Sequence, residues 1–150
     1  MSAENGQSIQ SDILDAVVAT LGGNAANIFR CRFSSFATSE LPGDNVIPQE
    51  EDPEYQDTDG VERKFRFHVR HLAAVTKNAA TPADKVADAR YVRGAKLLLA
   101  DITLGSLVRR IREVSHKWEM EQSELDVIAR VVTYEVEYST ILRDPSVQGY

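Results

Sequence analysis

From Arg63 to Ala73 the side chains follow a period of two, unbroken from Lys64 to Arg70. Phe65, Phe67, Val69, His71 and Ala73 occupy one set of positions, and Lys64, Arg66, His68 and Arg70 the other. A period of two is the spacing of a β-strand, whose successive side chains point to opposite faces. The apolar face of such a strand must be covered, while the cationic face must stay near water or acidic partners. The chain therefore has to build a sheet with one packed face, and its 150 residues suffice for one two-layer core of that kind.

The remaining pattern supplies the other layer and the neighbouring strands. Ser11 precedes the stripe Ile13, Leu14, Val17, Val18 and Leu21, Asp12 and Asp15 favour a helix N-terminus, and Gly22 and Gly23 end it, which predicts a helix over 11–21. Residues 1–10 are polar and small and read as a leader. Between Asn27 and Ala37, Phe29, Cys31 and Phe33 alternate with Arg30, Arg32 and Ser34, a first strand with Cys31 in its buried face. Thr81 is placed to cap a second helix with Pro82 at its first position and Asp84 three residues on. Its inward stripe is Ala87, Tyr91, Ala95, Leu98 and Ile102, and Gly94 allows close approach to the sheet. Leu107–Met120 reads as a strand if a bulge near Arg112 restores its phase, and Ser123 and Glu124 then fall in a turn. Val127–Leu142 reads as the last strand, with Ile128, Val132, Tyr134, Val136, Tyr138 and Leu142 on one side and Glu135 and Glu137 on the other. The expected fold is α+β: a largely antiparallel four-stranded sheet, two helices on one face, a single domain over 11–143 and a tail over 144–150.

One stretch resists this reading. From Glu40 to Glu62 no period is visible, basic residues are absent, and Asp44, Glu50, Glu51, Asp52, Glu54, Asp57 and Asp59 accumulate among Pro42, Pro48 and Pro53. It is expected to be a long acidic loop between the first two strands, of the kind that is functional or disordered.

Catalytic and metal chemistry finds little footing. His68 and His71 are three apart in a strand and face opposite ways, and His116 has no ligand at metal spacing beside it. Cys31 between Phe29 and Phe33 reads as a buried, inert thiol, and a lone cysteine forms no internal disulfide. Asp57-Thr58-Asp59-Gly60 lacks the later ligands of a calcium loop, and Leu21-Gly22-Gly23-Asn24 lacks the preceding strand and third glycine of a dinucleotide loop. No catalytic, cofactor-binding or metal residue is assigned. No run approaches the roughly 20 apolar residues of a membrane helix, and the absence of a signal pattern favours the cytosol.

What remains is charge. On the expected sheet, Arg30, Arg32, Lys64, Arg66, Arg70, Arg110 and Arg112 share the solvent face of a chain whose net charge is -6. Three readings stay open: a solvated face neutralised by cross-strand acids such as Glu135 and Glu137, a surface that receives the acidic loop of a neighbouring copy, and a nucleic-acid surface. The net charge and the lack of interleaved aromatics oppose the last.

Several stretches together resemble the tail terminator proteins of tailed bacteriophages, also called minor tail or tail-completion proteins. They are Ala83-Asp84-Lys85-Val86-Ala87-Asp88, the helix end Leu99-Ala100-Asp101, the turn Thr103-Leu104-Gly105-Ser106-Leu107, and Val131–Tyr138 followed by Arg143-Asp144-Pro145, with Leu41-Pro42 opening the acidic stretch. The resemblance runs from about Asp12 and rests on the whole pattern, with Ser106 standing where the family commonly has a second glycine. It implies a virion protein assembled in the host cytoplasm, a homo-oligomeric ring of six subunits that caps the tail tube protein, ends its polymerisation and docks a head-completion or neck protein. DNA would pass through without specific binding. The acidic segment would order on assembly or face the lumen. The alternatives are a head-to-tail connector and, from a different class, a small anion-binding module or enzyme.

Overall fold

The computed structural model of the protein describes residues 7–33, 35–55, 60–122, 125–142 and 144–149. Helix α1 runs from Ile9 to Leu21, two residues earlier than expected, because Ser8 and not Ser11 caps it: the Ser8 hydroxyl accepts from the Ser11 N–H at 3.2 Å. Gly22, at φ 116°, ends the helix in the left-handed conformation that favours glycine. Residues 7–10 of the expected leader thus belong to the fold, and the earlier ones lie outside the described residues.

A 3-10 turn over Gly23–Ala26 leads into β1, Ile28–Arg30, which is much shorter than the expected strand. Cys31 takes φ 52° and turns the chain out of the sheet, so its thiol is exposed and Phe33 is 80% exposed. The expected buried thiol is therefore wrong. The acidic stretch is also not a loop: Gly43–Tyr55 forms β2, paired antiparallel with β3, Gly60–Ala74. Its period was hidden by a bulge between Pro48 and Glu50, and its acids are matched to the basic strand beside it, Glu50 opposite Arg66 and Asp52 opposite Lys64.

Helix α2 spans Ala83–Leu99, with Pro82 at its N-cap position in place of Thr81. Strand β4, Arg110–Glu121, pairs with β5, Val127–Ile141, and its bulge falls between Glu113 and Ser115, slightly later than expected. Ser123 and Glu124, assigned to the turn between them, lie outside the described residues. The expected C-terminal tail folds as a short strand β6, Asp144–Gln148, along the end of β5. The sheet order is β1-β2-β3-β5-β4, with β1 parallel to β2 and the other pairs antiparallel. The result is α+β with a mixed sheet in place of the expected four antiparallel strands.

Both helices contribute to one core on one face of this sheet. Ile13, Val17, Leu21 and Leu98 join Val46, Phe65, Phe67, Val69, Val132, Tyr134 and Val136 in it. Gly94 sits against the sheet, and a methyl group there would lie 3.1 Å from His71 Cε1 and 3.3 Å from Leu21 Cδ2. Ile102, assigned to the inward stripe, is exposed. On the opposite face, Leu72, Val127, Ala129 and Val131 form a second small core, against which Phe36 and Leu41 of the β1–β2 connection pack. The rest of that face is open and charged, and Arg70, Glu119 and Glu121 continue the charge alongside the second core.

Candidate functional site

The charged half of the open face is built from β2, β3, β5 and β4. Arg66 reaches Glu135 on β5 at 3.0 Å and lies 3.6 Å from Glu50 on β2. Arg112 on β4 reaches the other oxygen of Glu135 at 2.7 Å, and Arg110 lies 3.1 Å from Glu137. Lys64 is exposed between its cross-strand neighbours Asp52 and Glu137. Glu135, only 4% exposed, is the centre of the set. Burial alone would oppose its ionisation, but the hydrogen bonds from Arg112 and Arg66 outweigh that, and its carboxyl titrates below the usual range. Toward the other end, Arg70 bridges Glu119, at 3.2 Å, and Glu121. His68, half-buried between, is pushed below the ordinary histidine value by burial and by the Arg70 charge.

Not all expected members gather here. Arg30 lies on the helix side, bound to Asp15 and Ser11 of α1. Arg32 follows β1 and stacks over Phe36, 4.7 Å from the ring centroid, while it binds Glu40, whose carboxyl it holds below the usual range. Of the acidic residues, Glu50, Asp52 and Glu54 share the open face at the β2 edge. Glu51 turns to the helix side, where it accepts from Arg63 at 2.9 Å and from Tyr138. Asp57 and Asp59 lie outside the described residues.

The helix side holds a buried ionic centre that no sequence pattern announced. Asp44 is fully buried in β2, with His71 Nδ1 2.8 Å from Oδ1, Arg90 Nη2 3.0 Å from Oδ2 and Arg93 Nη1 4.0 Å from Oδ2. Arg90 and Arg93 also donate to the Ala26 and Leu21 carbonyls, both at 2.8 Å, so α2 is tied to the α1–β1 connection. Beside it Tyr91 donates to Glu113 at 2.8 Å, and Arg130 lies over both Tyr91, at 4.3 Å, and Trp118, at 5.5 Å. The only hint was the pair Arg90 and Arg93 flanking Tyr91 on one helix: periodicity sets Tyr91 on the inward stripe and leaves the two arginines outside it. Among the described residues no cluster of three or more His, Cys, Asp or Glu is placed to hold a metal ion. Among them, too, no helix is long and apolar enough to cross a membrane.

Comparison with known proteins finds no matching family model and no matching curated protein.

Proposed function

We propose that the protein is a structural component of a tailed-phage virion, a tail-terminator-type subunit that caps the tail tube as a homo-oligomeric ring and offers a docking surface to the head or neck. The observation that carries this reading is how the charged face is made. Arg66, Arg110 and Arg112 are held across three strands by Glu135 and Glu137, which makes the face a fixed pattern of alternating charge. Such a pattern sets the register and identity of a protein partner. An incoming phosphate would first have to displace those carboxylates, which counts against an anion-binding module.

A second support comes from the turn after α2. Leu104, Gly105 and Ser106 all have positive φ, Ser106 at 70°, and the Asp101 carboxylate accepts from the Thr103 and Gly105 N–H groups at 3.0 and 2.8 Å. Ser106 thus occupies a conformation that favours the glycine found there in the terminator family. In a ring, the exposed Glu50, Asp52 and Glu54 suit a wall past which DNA slides without sticking.

Electron microscopy of tail tubes grown with and without the protein tests the role. Tubes of uniform length, each capped by a ring, are expected with it; unchanged lengths remove the terminator function. Binding to isolated heads and not to tails would make the protein a connector.

A further inference from the structure

The two long edges of the sheet are built differently. Asp44 N–H donates to the Asn27 carbonyl and Cys31 N–H to the Val46 carbonyl, so the backbones of Asp44 and Val46 face away from β3. The register carries that alternation to Pro48 and, past the bulge, to Glu51, Pro53 and Tyr55. Both prolines therefore fall on the outward positions of β2, where each removes a donor and discourages strand addition. At the other edge the Glu137 and Ser139 carbonyls accept from Arg109 and Gly149, so odd-numbered residues of β5 face β4 and β6. Ile111, Glu113, His116, Trp118 and Met120 must then turn their backbone groups outward from β4. Among the described residues β4 pairs only with β5, and it contains no proline or glycine.

The charges at the two ends of β4 are of opposite sign, with Glu113 and Lys117 between them. Arg109, Arg110 and Arg112 stand at or just before its start, and Glu119 and Glu121 at its end. A strand of this kind is complementary to itself only when reversed. We infer that β4 is the seam of a two-fold dimer, in which its free edge pairs antiparallel with β4 of a second copy. With His116 on the axis and Val114 as the extra residue of each bulge, side chains meet only side chains of the same face. Arg110 then faces Glu121, Arg112 faces Glu119, Ile111 faces Met120, and Glu113 faces Trp118.

Glu113, opposite Trp118 across the seam, borders a groove of about 440 Å³ between α2 and β4, lined also by Tyr91, Val92, Ala95, Lys96 and Leu99. Trp118 is 47% exposed and Met120 61% in the single chain. The seam sets Trp118 of each copy beside the groove of the other, where an indole covers the exposed Val92 and Leu99. Each charge of the seam already has a partner in its own copy, Arg110 with Glu137, Arg112 with Glu135, and Glu119 and Glu121 with Arg70, so pairing joins two networks. This inference stands on the edge geometry and does not depend on the tail-tube reading; the seam is a two-fold contact of the free protein, separate from the head-to-tail contacts that would close a ring.

Trp118 is the only tryptophan, which makes the seam visible by fluorescence. Sedimentation equilibrium of the full chain is expected to give a dimer, with Trp118 emission moving to the red on dilution. The double variant R110E/R112E and the double variant E119R/E121R should each self-associate at least about tenfold more weakly, since exposed ion pairs become repulsions. Mixed, the two should form a heterodimer. Met120→Pro, at an exposed outward position, should weaken the dimer and leave the melting of the single chain nearly unchanged, which separates loss of the seam from loss of the fold. A monomer at every concentration, or an oligomer that none of these variants weakens, would overturn the inference.

Discussion

Glu135 shows how much of the open face depends on one side chain. It is buried, it accepts from Arg66 and Arg112, and those arginines remain partly hydrated if it is removed. Glu135→Gln keeps the shape and loses the charge, and should cost roughly 1–3 kcal/mol of unfolding free energy near neutral pH, read from urea midpoints. The pH dependence has a definite sign. The folded carboxyl holds its proton less readily than the unfolded one, so its contribution is complete above the ordinary carboxylate range and is lost as pH falls through the lowered folded value. The wild type should therefore lose more stability than the variant between neutral and acid pH. At this scale the sequence was partly legible. Glu135 and Glu137 could be assigned as partners of a cationic face from period two alone, whereas Arg30, assigned to the same face, lies on the helix side because Ile28 and not Phe29 faces the core there. Its strand ends with it, and Cys31 follows in a left-handed conformation that no side-chain pattern signals.

Among the elements, β3 and β5 were the most legible, because each is flanked on both sides and carries a clear alternation through its middle, Lys64–Arg70 and Val132–Tyr138. β2 was not. Its acids and prolines have the composition of a loop, and they form a strand because the basic face of β3 lies beside them and because an edge strand tolerates proline on its outward side. Tertiary context thus outweighed local propensity there. The fit of α2 to the sheet was legible in one residue, Gly94. His71 is fixed by its bond to Asp44 and cannot retreat from a larger side chain at that position. Gly94→Val should destabilise the protein by roughly 1–3 kcal/mol through overpacking, measured as a lower denaturation midpoint. That outcome would contrast with an exposed helical glycine, where a side chain usually helps.

For the whole molecule, the class α+β and the one-sided packing of the helices were readable from sequence, while the buried Asp44 centre and the second small core were not. Both depend on which segments meet in space, Asp44 with Arg90 and Phe36 with the start of β5, and no local pattern encodes such meetings. Two prolines on β2 carry a consequence for how many molecules can gather. With β4 receptive and β2 deprived of two of its outward donors, strand addition along the long edges favours a single site per molecule, so it stops at two copies and does not run on into a fibre. Replacing both, as P48V/P53V, should convert that finite association into open-ended growth, seen as rising light scattering and as filaments under the electron microscope.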